Sequence, residues 1–290
     1  MSNRRRQNTI NLVYVNGVNV EGVQIIKAAV FNQFSSHLKR VATVRPSVEA
    51  LPFRKLSCGE AGNLTKPFSL EEVKQAVWDY DSFKSLGPDG ISFDFIKKIW
   101  ELLKDDFMQF LVDFHRNDKL TKWVNSTFIA LIPKINSPQR LNDYMPISLV
   151  GWLYKVLAKV LDNRLRNVIG SMVFDSQSAF IKGKQILDGI LIANEVVDEA
   201  RRLDKELMMF KVDFQKAYDS VDLTYLDMVM VNMNCPTPWR KWISECIGTT
   251  KATVLVNGCP TEEFPFERGL RQEDPLSPFY FCWQLKVSTS

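Results

Sequence analysis

Apolar and aromatic residues recur at helical spacing between Ile96 and Phe114: Ile96, Ile99, Trp100, Leu103, Phe107, Phe110, Leu111 and Phe114. Residues three and four apart share one face of an α-helix, so this stripe predicts a long helix with one side that other elements must cover. A face this rich in rings reads as core and not as a ligand box. Several segments can supply the cover. Ser69 followed three residues later by Glu72 is a capping box, and it opens a helix carrying Val73, Ala76 and Val77. From Leu149 onward the pattern is again helical, with Leu153, Val156, Leu157, Val160, Leu161 and Leu165 on one face. Further helices are predicted over residues 21–38, 186–202, 223–233 and 238–247.

Strand signals lie between these helices. Residues 126–132 are β-branched and apolar, and residues 207–214 read as a buried strand ending in a carboxylate, Asp213. Residues 253–256 and 263–266 flank Asn257-Gly258, the signature of a hairpin turn. The expected fold class is α+β, helix-rich with a small mixed sheet. With 290 residues and 46% hydrophobic content, the chain can bury one large or two small cores. Residues 1–66 are weakly patterned, and order sharpens at Pro67. The expected segments are 1–66, an upstream linker; 67–124, a helical lead-in; and 125–290, the main domain.

A net charge of +4 permits nucleic-acid binding without arguing for it. Arg4, Arg5 and Arg6 read either as a solvated terminus or as a phosphate contact. Lys155, Lys159 and Arg166 read either as the solvated face of a helix or as a basic stripe against a nucleic-acid backbone. The five cysteines show no C-x-x-C and the only histidines are His37 and His115, so no zinc site is legible. With no signal peptide, reduced cysteines in a nuclear or cytoplasmic protein are expected. The apolar runs are short and broken by charge, so no membrane span is expected.

The segment Lys211-Val212-Asp213-Phe214-Gln215-Lys216-Ala217-Tyr218-Asp219-Ser220-Val221 carries the most chemistry. An acid ending a buried strand is costly unless its charge is paired. It can cap the next helix, or it can bind Mg²⁺, which takes one or two carboxylates plus substrate phosphate oxygens.

This string resembles the first palm motif of non-LTR (LINE-type) retrotransposon reverse transcriptases. The resemblance places metal binding and catalysis on Asp213, with Phe214 adjoining the metal. It makes Tyr218 the steric gate against ribonucleotides and Asp219 a local structural partner. Other segments resemble the same family in order. Phe128-Ile129-Ala130-Leu131-Ile132-Pro133-Lys134 resembles a fingers motif whose lysine contacts the incoming triphosphate. Tyr144-Met145-Pro146-Ile147-Ser148-Leu149 resembles the next. Gln177-Ser178-Ala179-Phe180-Ile181-Lys182-Gly183-Lys184-Gln185-Ile186 resembles a block that follows the template strand. Arg268-Gly269-Leu270-Arg271-Gln272-Glu273-Asp274-Pro275-Leu276-Ser277-Pro278 resembles a motif whose glutamine lies over the nascent base pair. Gly87-Pro88-Asp89-Gly90 resembles the segment just before the polymerase. Order and spacing are similar to those of plant LINE polyproteins.

The implied fold is right-hand fingers with part of a palm. The implied reaction is RNA-directed DNA synthesis with Mg²⁺, an RNA template and a DNA primer. Lys134, Tyr218 and Gln272 would contact nucleotide. Lys155, Lys159, Arg166, Lys182 and Lys184 would contact nucleic acid, weakly and without sequence preference. Four features depart from the family. Met145 stands where it has arginine, Glu273 where it has glycine and Leu86 where it has proline, and no Tyr/Phe-Ala-Asp-Asp string occurs in the 290 residues. A Glu273 carboxylate about 6 Å from a nucleotide charge would repel it by about 3 kcal/mol at an effective dielectric of about 20. The expectation is a truncated polymerase fragment that is inactive as this chain. The alternative is a non-catalytic nucleic-acid-binding or interaction protein derived from a retroelement.

Overall fold

A computed structural model describes residues 9–15, 17–41, 47–48, 51–121, 123–173, 183–209 and 218–279. The chain begins with an antiparallel hairpin, β1 (Leu12–Val15) and β2 (Val18–Glu21), turned at Gly17 with φ 87°. Helix α1 (Val23–His37) follows and buries Ile26 and Val30. The weakly patterned amino-terminal region is therefore built into the fold. Ile10, Val13, Ile26, Val30 and Leu38 share an apolar cluster with Ile129, Leu131, Val254, Val256 and Phe264 of the sheet. The Asn257 side chain clips the Ile10 backbone at both its N–H (2.7 Å) and its carbonyl (2.9 Å).

A helical layer comes next: α2 (Cys58–Thr65), α3 (Leu70–Trp78), α4 (Phe93–Lys98) and α5 (Trp100–Asn117). The long apolar stripe is core as its period requires, with Ile96, Trp100, Phe107, Leu111 and Phe114 buried. It is two helices and not one, because Ile99 leaves helical backbone at φ −105°, ψ 16°. Ser69 caps α3 through its hydroxyl, which accepts from the Glu72 N–H. Glu72 does not close the reciprocal half of the box. Its carboxylate is held by the buried Arg164 at 2.7 and 2.9 Å. That guanidinium also donates to the carbonyls of Leu64, Lys66 and Pro67 and lies 4.3 Å from the Phe68 ring centre.

The sheet contains β3 (Ser126–Pro133), β4 (Tyr144–Val150), β5 (Lys251–Val256), β6 (Cys259–Pro260) and β7 (Phe264–Pro265). Its order is β4-β3-β5-β6 with β7 also on β5, and only the β3–β5 pairing is parallel. Asn257 (φ 54°) and Gly258 (φ 82°) turn β5 into β6 as the Asn-Gly pair requires.

Helix α6 (Trp152–Met172) runs through the centre, buried on most of its circumference. The helical pattern in the sequence begins at Leu149. Residues 144–150 instead form β4, because pairing with β3 satisfies their backbone. The helix starts after Gly151, where Asp89 accepts from the Trp152 N–H at 2.7 Å. This explains the Gly-Pro-Asp-Gly loop. A Cβ at Gly87 would lie 2.2 Å from the Val150 carbonyl oxygen, so only glycine lets Asp89 reach the helix start. Beyond it come α7 (Ile186–Arg202), α8 (Leu223–Asn232) and α9 (Thr237–Gly248). Residues 207–209 form no strand, and the rest of the strand expected over 207–214 lies outside the described residues. The architecture is α+β. Among the described residues no helix is long and apolar enough to cross a membrane.

Candidate active site

Where the β3–β4 hairpin, α1, the turn at Tyr218 and the segment from Gln272 to Pro278 meet, an open cleft of about 930 Å³ forms. One wall is the β3–β4 hairpin, contributing Lys134, Tyr144, Met145 and Pro146. The register sets Ile132 against Met145 and Pro133 against Tyr144, and the Lys134 N–H donates to the Asp143 carbonyl at 2.8 Å. Asp143 in turn braces the hairpin loop. Its carboxylate accepts from the N–H groups of Arg140 and Gln139, which hold its carboxyl below the usual range. Lys134 is thus fixed in backbone, while its side chain is exposed.

A second wall is the short 3₁₀ turn Tyr218–Ser220, from which Tyr218 and Asp219 line the cleft. Two backbone bonds tie it to the glutamine-bearing segment: Gly269 N–H to the Val221 carbonyl and Leu270 N–H to the Tyr218 carbonyl, both 2.8 Å. Gly269 has φ 83°, and a Cβ there would stand 3.1 Å from the Asp219 backbone.

Gln272 reaches the cleft from between two buried charges. The Arg271 guanidinium donates to Asn125 Oδ1 (2.6 Å) and the Cys246 carbonyl (3.0 Å), pairs with Asp274 (3.2 Å) and lies 3.8 Å from the Tyr154 ring centre. The Tyr154 hydroxyl donates to Asp274 Oδ2 at 2.8 Å, and the Leu276 N–H to Oδ1. Burial pushes the Tyr154 hydroxyl far above its ordinary value, so it stays a donor. With both flanks pinned, Gln272 and Glu273 have little freedom. Glu273 takes the left-handed conformation at φ 70°, a position that suits glycine. Its carboxylate borders the cleft and is paired with Lys84 at 3.2 Å, so the repulsion expected from a bare charge is reduced.

The structure brings Lys134, Tyr218 and Gln272 into one cleft, with Met145 among them. Asp213, Phe214 and Lys182 lie outside the described residues. The basic side chains of α6 are engaged by the protein itself. Lys155 Nζ donates to the Ser85 carbonyl at 2.6 Å, and burial lowers its pKa. Lys159 and Arg166 both pair with Asp162, which is fully buried. Lys184 is half-buried just before α7.

Sequence reading missed Gln33, Phe34 and His37, which line the cleft from α1. No local motif marks them; only the docking of α1 on the sheet puts them there. Among the described residues no three or more His, Cys, Asp or Glu side chains are grouped to hold a metal ion. Asp219 is engaged by His37, and Asp274 by Arg271 and Tyr154.

The model of one protein family, described as reverse transcriptase (RNA-dependent DNA polymerase), matches residues 132–288. The chain is 28% identical over 214 residues to the "Transposon TX1 uncharacterized 149 kDa protein" of Xenopus laevis, covering 74% of this chain and 16% of that protein. It is 25% identical over 223 residues to the Retrovirus-related Pol polyprotein from type-1 retrotransposable element R2 of Nasonia vitripennis, covering 77% and 21%. The corresponding R2 polyprotein of Popillia japonica is 23% identical over 217 residues, covering 74% and 29%. The chain spans less than a third of the length of each of these relatives.

Proposed function

The chain belongs to the reverse transcriptase (RNA-dependent DNA polymerase) family, and we propose that its cleft receives an incoming deoxynucleoside triphosphate opposite an RNA template. The observation that carries this reading is the convergence of Lys134, Tyr218 and Gln272, from three separate stretches of chain, on one cleft. In it Lys134, whose Nζ donates to the Asn142 carbonyl at 3.4 Å, turns to hold the triphosphate, the Tyr218 ring crowds the sugar 2′ position, and Gln272 covers the nascent pair. The chain is homologous to the polyproteins of non-LTR retrotransposons. A DNA primer and an RNA template are therefore its proposed partners.

Reverse transcriptases use a divalent metal. We propose Mg²⁺ at Asp213 and the adjoining Phe214, where it would neutralise the phosphates and activate the primer hydroxyl. Segment 67–124 acts as the lead-in to the polymerase domain of 125–290, and residues 1–66 supply a wall of the cleft. The 290-residue polypeptide binds nucleotide without incorporating it. Asp213 matches a metal-binding carboxylate of the family's first palm motif, and Met145 offers no donor where a clamping arginine stands in the family. The proposed contacts to nucleic acid are Lys182, Lys184, Lys155, Lys159 and Arg166. Lys155, Lys159 and Arg166 can contribute only by leaving their protein partners, so affinity is weak and falls steeply with salt.

The test is nucleotide binding with Mg²⁺. The chain should bind a deoxynucleoside triphosphate, Lys134→Ala should weaken binding about tenfold or more, matching the loss of one charge-assisted contact, and a primed RNA template should not be extended. Undiminished binding in Lys134→Ala would refute the assignment of the cleft. Extension abolished by Asp213→Ala would refute the inactive reading.

A further inference from the structure

We infer that His37, at the end of α1, is a positioning residue for sugar selection: through Asp219 it fixes the turn that presents the Tyr218 ring to the cleft. The inference rests on reading the cleft as a nucleotide site. The turn Tyr218–Ser220 is three residues long, too short to hold a ring in place by its own hydrogen bonds. Its stiffness comes from neighbours. On one side it is tethered by the Gly269 and Leu270 N–H groups. On the other, His37 Nε2 lies 3.2 Å from Asp219 Oδ2, where a carboxylate can only accept, so the ring N–H donates. Asp219 is adjacent to Tyr218, and its side chain is only 19% exposed.

His37 is itself held firmly. Its carbonyl accepts from Arg268 Nε at 2.8 Å and Nη2 at 2.6 Å, and the Leu38 carbonyl accepts from the Glu267 and Arg268 N–H groups. The Arg40 N–H donates back to the Glu267 carboxylate at 3.0 Å. The end of α1, the tyrosine turn and the segment leading to Gln272 therefore meet in one three-way joint. His37 is a side-chain link between the first two. A gate that works by crowding one hydroxyl is sensitive to displacements of about 1 Å. Loosening this joint should therefore relax sugar selection before it weakens binding of the preferred nucleotide.

The experiment uses the full 290-residue chain, with displacement of a fluorescent dATP analogue by dATP or by ATP in the presence of Mg²⁺. The variants are Tyr218→Ala, His37→Leu and His37→Gln, the last keeping a side-chain N–H donor. Wild type should prefer dATP, and Tyr218→Ala should level the two affinities. His37→Leu should reduce the preference about fivefold, the low end for a coupling passed through an intermediate residue, with ATP affinity changing differently from dATP affinity. His37→Gln should retain most of the preference. If Tyr218→Ala levels the affinities while His37→Leu leaves the preference intact, the inference is overturned and the nucleotide reading stands. Equal weakening of both nucleotides in His37→Leu overturns it too, because His37 would then support the fold or the cleft wall and not the choice of sugar. If neither nucleotide binds, or Tyr218→Ala changes nothing, the nucleotide reading fails and takes the inference with it.

Discussion

Replacing Arg271 with leucine removes the centre of the buried network that flanks Gln272. Both members of the Arg271–Asp274 pair are 2% exposed. In Arg271→Leu the Asp274 carboxylate keeps the Tyr154 hydroxyl and the Leu276 N–H but loses its countercharge. Asn125 Oδ1 and the Cys246 carbonyl each lose a donor as well. Breaking a buried pair from one side costs about 3–5 kcal/mol, and the two donors left on Asp274 favour the lower figure. At about 3 kcal/mol per molar of urea, a loss of about 3 kcal/mol lowers the unfolding midpoint by about 1 M. Asp274→Asn in the Arg271→Leu background removes the stranded charge, keeps the acceptor for the Leu276 N–H and turns its amide N–H toward the Tyr154 hydroxyl, which can accept it. The double variant should recover about 1 kcal/mol or more, a positive coupling in a double-mutant cycle. A midpoint shift under about 0.3 M for Arg271→Leu, or strict additivity in the cycle, would refute the claim that this pair holds the glutamine segment.

Two further outcomes follow from the same structure. Burial raises the thiol of Cys235 to about 12, and that of Cys246 higher still, from an ordinary value of 9.0. Both stay neutral when folded, so stability is fully present below about pH 9 and falls above it as the unfolded thiols ionise. At pH 10 the loss is about 1.4 kcal/mol per thiol, and Cys235→Ala should remove its share; a flat urea midpoint from pH 7 to pH 10 would contradict this. Glu273→Gly relieves left-handed backbone worth about 1–2 kcal/mol but gives up an exposed ion pair worth about 0–1 kcal/mol and some unfolded-state stiffness. Its melting temperature should hold or rise slightly and deoxynucleotide binding should tighten, whereas a clear drop in stability would mean the Lys84 pair outweighs the strain.

What the sequence made legible is local. The stripe from Ile96 to Phe114, the Ser69 cap and the Asn257-Gly258 turn each depend on residues within a few positions of one another. The family motifs supplied Lys134, Tyr218 and Gln272, which share a cleft. Features set by distant pairing stayed hidden. Tyr144–Val150 becomes a strand because β3 lies beside it, and Met145-Pro146 gives little strand signal alone. Asp89 looks like a loop residue until α6 starts on it. Glu72 looks like half of a capping box until Arg164 takes its carboxylate. His37 sits in the least patterned part of the chain, and its place at the cleft exists only through α1 docking on the sheet.

The most direct test of the central claim is photo-crosslinking of the chain with an azido-substituted deoxynucleoside triphosphate and Mg²⁺, with the labelled peptides mapped by mass spectrometry. Labelling is expected on the β3–β4 hairpin around Lys134 and Met145, on the turn at Tyr218 and on the segment carrying Gln272, suppressed by excess unlabelled deoxynucleotide. Competable labelling confined to other surfaces, such as the outer face of α5 or the start of α7, would contradict it.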